Sequence, residues 1–312
     1  MERLFDPSAL KYAELSQDSL KREKTKLQKK ILITVSEDVS YQYGLRFAGS
    51  FFNNKSAVSA TLFYIASPAD SAVRGAGQEL IAGKLAEARK QNALQVLDAA
   101  RRKLCDRGFP SENVSTKFIF RQFGTARDIV REARAGNYDT VILGRRGYLL
   151  FESIFSMSVT RQILDLAIEP PIWICRRPDE NRRNVLLCVD GSSASFRMVD
   201  HVGFMLTDED RHSVTLFHVD TGEGRNKEAI MDKARGLIER QIPQGRVESI
   251  VVSSTVSGVG KKILEEAAAK NYAAVGVGRV GSRKGRIKEW LTGSRTMKLV
   301  ESMEKTALWV SG

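Results

Sequence analysis

Asp190-Gly191-Ser192-Ser193 stands at the end of the apolar run Val185–Val189. A carboxylate there can accept hydrogen bonds from a base or a ribose. The glycine permits a tight turn, and the serines can cap a following helix. Further on, Gly278-Arg279-Val280-Gly281 follows the run Ala273–Val277, and Gly293-Ser294-Arg295-Thr296 opens the next helical stretch. Glycines let a phosphate approach the backbone, and Ser294 beside the unpaired N–H groups of a helix start makes a seat for an anion. Arg279, Arg283, Lys284, Arg286 and Lys288 crowd the same stretch. Taken singly, each loop also suits a strand-to-helix turn that holds nothing; together they point to a nucleotide site.

Two glycine patterns are decoys. Gly276-Val277-Gly278-Arg279-Val280-Gly281 fits the dinucleotide fingerprint in letters, but it follows a fourth strand rather than a first one. Ser257-Gly258-Val259-Gly260-Lys261-Lys262 lacks the leading glycine of a phosphate-binding P-loop and the hydroxyl after its lysine.

The elements that must position these loops occur twice. Ile31–Ser36 aligns with Val185–Asp190 and Thr61–Ile65 with Thr215–Val219, both at an offset of 154. Asn137-Tyr138 aligns with Asn271-Tyr272 and Gly144–Gly147 with Gly278–Gly281, both at an offset of 134, which leaves 20 extra residues in the first copy after its second strand. Such offsets mark a duplicated unit. Each copy alternates short apolar runs with helical stretches, the strands being expected at 31–35, 58–65, 114–120, 140–143 and 172–175, and at 185–189, 213–219, 247–252, 273–277 and 307–310. Alternation of this kind, with non-alternating strands, predicts an α/β fold: two tandem doubly wound parallel-sheet domains. The expected division is a polar arm over 1–30, a first domain over 31–178 and a second over 179–312. Ligands bind such sheets outside the carboxyl ends of the strands, near the switch in strand order.

Composition bounds the rest. With 42% hydrophobic and 28% charged residues, the chain of 312 residues can build two real cores. It has no apolar run long enough for a transmembrane segment, and its first 30 residues lack the apolar stretch of a secretion signal. Three scattered cysteines, Cys105, Cys175 and Cys188, fit reduced thiols in a cytoplasmic protein and neither a disulfide framework nor a zinc site. His201, His212 and His218 have no companions at metal-ligand spacing, so no metal is assigned. A net charge of +12 favours anionic partners, without by itself making nucleic acid one of them.

The strand ending in Asp190-Gly191-Ser192, the strand Leu216-Phe217-His218-Val219 and the late Gly278…Gly281 and Gly293-Ser294 resemble the universal stress protein family, within the adenine nucleotide α-hydrolase-like folds. The resemblance covers 31–178 and 184–312. It implies a stress-response protein that binds ATP or a related adenine nucleotide, with magnesium accompanying it, at Asp190, Gly191, Val219, Gly278, Arg279, Gly281, Gly293, Ser294, Arg295 and Thr296. The corresponding set in the first copy is Ser36, Ile65, Gly144, Arg145, Gly147 and Ser158. Both copies depart from the family spacing. Eleven residues separate Gly281 from Gly293 where nine are usual, while the first copy keeps nine but has Met157 for the last glycine and Ser36 for the aspartate. The first site therefore reads as degenerate and the second as the working one. The resemblance also implies that the two domains pair through their last strands, near Trp173 and Trp309, and a further homodimer is compatible with it.

No nucleophile, base and orienting group come together in the aligned loops, so no catalytic residue is assigned. The leading expectation is a nucleotide-binding sensor or regulator. The alternatives are a nucleotide-free scaffold for protein interaction, and a slow ATPase or nucleotidyl-transfer enzyme.

Overall fold

The computed structural model describes residues 28–37, 42–68, 76–144, 159–160, 162–164, 166, 169–222, 224, 226–279, 303 and 305–311. In chain order these form β1 (Lys29–Val35), α1 (Tyr43–Phe51), β2 (Val58–Ala66), α2 (Ala76–Asp106), β3 (Val114–Phe120), α3 (Thr125–Ala135), β4 (Thr140–Gly144) and β5 (Ile172–Cys175). Then follow β6 (Val185–Cys188), α4 (Ser193–Leu206), β7 (Val214–Asp220), α5 (Lys227–Ile238), β8 (Val247–Ser253), α6 (Val259–Ala269), β9 (Ala274–Gly278) and β10 (Ala307–Ser311). Four single 3-10 turns, such as Ser111–Asn113 and Gln244–Arg246 before β3 and β8, escaped the sequence pattern.

All ten strands join one sheet, in the order β3-β2-β1-β4-β5-β10-β9-β6-β7-β8. Every neighbouring pair is parallel except β5 and β10, which run antiparallel with Trp173 opposite Trp309. The fold is α/β with a mostly parallel sheet. The inner strands β1, β4, β5, β6, β9 and β10 are apolar and almost wholly buried, as strands covered on both faces must be. The edge strands β3 and β8 are exposed along much of their length.

The strand β1 begins at Lys29, two residues earlier than the apolar run, so it takes in the end of the expected arm. Lys29 is buried, and its Nζ donates to the carbonyl of Thr207, just past the end of α4, at 2.5 Å. Arg183 does the converse, with Nη1 donating to Ser50 O near the end of α1 at 3.2 Å. Each cation meets the negative end of a helix from the opposite half of the chain. The buried Glu209 accepts from the backbone N–H groups of Asn53 and Asn54 at 2.8 and 3.2 Å, and His212 Nε2 lies 2.9 Å from Phe51 O.

The indoles of Trp173 and Trp309 stack at 3.8 Å with their planes nearly parallel, at the centre of this seam. Trp173 Nε1 donates to His201 Nε2 at 3.0 Å, whereas buried Trp309 Nε1 finds no acceptor. The 154-residue offset explains the difference: the counterpart of His201 is Phe47, which packs 6.3 Å from Trp309 and offers no lone pair.

A second exchange lies where the first helix of each half crosses the sheet. A Cβ on Gly44 of α1 would meet Ile142 Cγ2 of β4 at 3.1 Å, and a Cβ on Gly276 of β9 would meet Met198 Cγ of α4 at 3.1 Å. By the same offsets Gly44 corresponds to Met198 and Ile142 to Gly276. The small residue is on the helix in one half and on the strand in the other, so the gap is filled from opposite sides. Of the 20 extra residues, 19 are accounted for by α2, which has 31 residues against 12 in α5.

The paired Asn-Tyr dipeptides also gain a cause. Asn137 and Asn271 take positive φ, 48° and 54°, where the chain leaves α3 and α6. The next residue in each case is a buried tyrosine whose hydroxyl reaches back to that helix, Tyr138 to Glu132 at 3.1 Å and Tyr272 to Glu266 at 3.2 Å.

Candidate functional site

The strand order switches direction beside β6: β7 and β8 lie on one side of it and β9 and β10 on the other. The last pair between β6 and β9 is Leu187 with Gly276, so the chain leaves β6 towards Asp190 and β9 towards Arg279 at the same rim of the sheet. In the first half β1 and β4 are paired equivalently, through Ile33 and Ile142, below Ser36 and Gly144.

Asp190 follows β6 and accepts the backbone N–H of Ser192 at 2.9 Å, which closes the turn locally. Gly191 has φ +81°, and a Cβ there would come within 2.8 Å of Ile230 on α5, so conformation and space both require glycine. Ser192 caps α4, its Oγ accepting from Ser195 N at 3.1 Å. These three residues thus place the positive end of α4 beside the Asp190 carboxylate. Val219 is half-buried in β7, opposite Val252 of β8. Beyond it, the hydrogen bond from Gly222 N and the charge of Lys227 hold Asp220 below the usual carboxylate range.

Gly278 ends β9 and has a structural reason to be glycine. A Cβ would stand 2.2 Å from Ser195 N and 2.4 Å from Ala194 C, so the first turn of α4 rests directly on this backbone. The space expected for a phosphate over Gly278 is filled, in that direction, by the helix. Arg279, half-buried, donates its N–H to Ser311 O at 2.8 Å, and the Ser311 hydroxyl donates to Ala194 O at 2.7 Å. The arrangement ties β9, β10 and the start of α4 into one rigid corner. Gly281, Gly293, Ser294, Arg295 and Thr296 lie outside the described residues.

In the first half Ser36 and Gly144 end their strands half-buried, and Ile65 is half-buried in β2 opposite Ile119. Arg145, Gly147 and Ser158 lie outside the described residues. A neighbour absent from the sequence-based set stands at this rim: the hydroxyl of buried Tyr64 donates to Glu37 Oε1 at 2.8 Å. Its counterpart is His218, whose Nδ1 lies 2.7 Å from Val189 O. Both side chains link the second strand to the loop after the first, a role that the 154-residue offset pairs but does not by itself disclose.

Cys188, at the foot of the second site, has its thiol pushed far up by burial and then by the Asp190 charge, and burial raises Cys175 as well. Neither is poised as a nucleophile. None of the three cysteines forms a disulfide. Among the described residues no group of three or more histidine, cysteine, aspartate or glutamate side chains could hold a metal ion, and no helix is long and apolar enough to cross a membrane.

Residues 28–173 match the model of the universal stress protein family. A universal stress protein from Archaeoglobus fulgidus DSM 4304 shares the fold at a TM-score of 0.66 and 17% identity, over 90% of this chain and 97% of that one. A universal stress protein in complex with cAMP aligns to 41% of this chain and 95% of its own, at 19% identity and a TM-score of 0.33. A family member from Arabidopsis thaliana with AMP bound aligns to 49% of this chain and 94% of its own, at 13% identity and a TM-score of 0.32. No curated protein matches the chain.

Proposed function

We propose that the chain, whose residues 28–173 match the universal stress protein family model, is a tandem pair of such domains that binds ATP or a related adenine nucleotide, chiefly in its second half, and acts as a sensor or regulator. The strand-end geometry carries this proposal. Asp190 and Gly191 on one side of the switch point and Arg279 on the other stand at one rim of the sheet, with the capped N-terminus of α4 beside them. A carboxylate for base or ribose hydroxyls and a helix dipole for phosphate are the two poles a nucleotide requires. The first half has Ser36 in place of the acid and Glu37 held by Tyr64, a less suitable pole for an anionic ligand. Family resemblance adds magnesium as a companion of the phosphates. The pairing of β5 with β10 supports an internal pseudo-dimer.

Mass spectrometry of protein purified without added nucleotide, followed by calorimetric titration with ATP, tests this. Saturable binding is expected, weakened at least tenfold by Asp190→Ala and left unchanged by Ser36→Ala. Absence of both co-purified adenine and a titration signal would end the proposal. One observation favours the scaffold reading instead: Gly278, the residue most diagnostic of a phosphate seat, is explained by the packing of α4. A chain that binds no nucleotide yet keeps its seam intact would fit that reading.

A further inference from the structure

The groove between α1 and the last turns of α2 encloses a cavity of about 340 Å³ lined by Gln42, Leu45, Arg46, Lys103, Asp106 and Arg107. None of these belongs to the strand-end loops of the second half. Gln42 is 7% exposed; its Oε1 accepts from Lys103 Nζ at 3.1 Å, and among the described residues its Nε2 has no hydrogen-bond partner. Buried amide donors are rarely left unpaired, and those that are call for a missing acceptor. Gln42 also sits at the N-cap position of α1 without capping it, which leaves the positive end of that helix uncapped by its side chain.

Three cations, Arg46, Lys103 and Arg107, line the cavity against one carboxylate, Asp106, so the balance around it favours an anion. Arg107 crosses over Gly49, where a Cβ would come within 2.4 Å of its Cδ, and grips Glu180 with both terminal nitrogens at 2.9 and 3.1 Å. Arg46 Nε reaches the same carboxylate at 3.1 Å. Two guanidinium groups therefore share one carboxylate of the connecting segment, while Lys103 faces an amide oxygen. Burial, and then the charge of Arg107, depress the Lys103 ammonium below its ordinary range. An anion placed among these groups would relieve that crowding.

We propose that this groove is a binding site for a small phosphate-type oxyanion, held by Lys103, Gln42 Nε2 and Arg107, with Glu180 as the built-in competitor for the two arginines. Occupancy would loosen Glu180 and so link an anion to the segment that connects the two halves.

The probe is inorganic pyrophosphate, titrated calorimetrically into the full chain at constant ionic strength. Saturable binding is expected. Lys103→Met should weaken it on the order of tenfold, the loss of one charge-assisted hydrogen bond, and Lys103→Arg should restore most of it. Gln42→Leu should weaken it too, whereas Glu180→Gln, by freeing both guanidinium groups, should tighten it. Asp190→Ala must leave it unchanged, because the anion sits away from the strand-end loops of the second half. The proposal fails if Lys103→Met binds like the wild type, if Asp190→Ala abolishes the signal, or if chloride at matched ionic strength reproduces it. Should Lys103→Met fail to fold, the opposite effects of Gln42→Leu and Glu180→Gln decide the matter.

Discussion

Replacing His201 by phenylalanine would make the two sides of the tryptophan stack alike, and the cost can be worked from the seam itself. His201 accepts the Trp173 indole N–H through Nε2, so it must be neutral, with its proton on Nδ1. Phenylalanine deletes that acceptor and leaves a second buried indole N–H unpaired beside the one on Trp309. An orphaned donor of this kind costs ~1–3 kcal/mol, which is the destabilisation expected at pH 7.5. The pH dependence sharpens the test. Burial lowers the His201 pKa from 6.5 to about 3, so below pH 6.5 the unfolded chain takes up a proton that the folded chain refuses. The wild type then loses stability as pH falls, by about 1.4 kcal/mol per unit, or ~2 kcal/mol between pH 6.5 and 5 from this one group. The variant lacks that loss, and His212 titrates alike in both proteins. The gap between them should therefore close, and even reverse, near pH 5. Urea denaturation at pH 7.5 and pH 5, read by tryptophan fluorescence, measures it. Equal stability at pH 7.5, or a gap that stays constant with pH, would refute the reasoning.

The converse change, Phe47→His, offers Trp309 Nε1 an acceptor and should raise stability by ~1 kcal/mol in the same denaturation assay. Gly276→Ile should cost ~1–3 kcal/mol by overpacking against Met198, and adding Met198→Gly should recover part of it, as a double-mutant cycle would show, because the pair then copies Ile142 and Gly44. In native protein at pH 8, iodoacetamide should modify the half-buried Cys105 before buried Cys175 and before Cys188, which is also half-buried but whose thiol is held protonated by burial and the Asp190 charge; peptide mapping after timed alkylation reads the order.

Strand positions were legible because buried parallel strands are written in unbroken apolar letters: β3 and β5 match the expected ranges, and the others shift by a residue or two. Lys29 was missed because a lysine reads as solvent-facing, and only a helix end from the far half of the chain makes it a strand residue. At the site, the turn Asp190-Gly191-Ser192 was legible since its chemistry is local, within three residues. The meaning of Gly278 was not. Glycine looks the same in a sequence whether a phosphate or a helix approaches it, and the helix here comes from 83 residues earlier. Tyr64 with Glu37 and Ser311 with Ala194 are likewise contacts across the chain that no spacing encodes. The reciprocal pairs Gly44 with Ile142 and Met198 with Gly276 lay in the aligned copies all along, but only a shared contact gives their exchange a meaning.

The antiparallel join of β5 to β10 brings together two unequal surfaces borne by one polypeptide. In an assembly of identical subunits, each replacement near the twofold axis appears twice, and a phenylalanine facing a histidine could never arise. Covalent tethering lifts that symmetry constraint. One side is free to specialise while the other drifts, and the partner is always present at fixed stoichiometry. With this joint consumed internally, β3 and β8 are the edge strands among the described residues; both expose polar or charged side chains, among them Lys117 and Glu248, although β8 also exposes Val251.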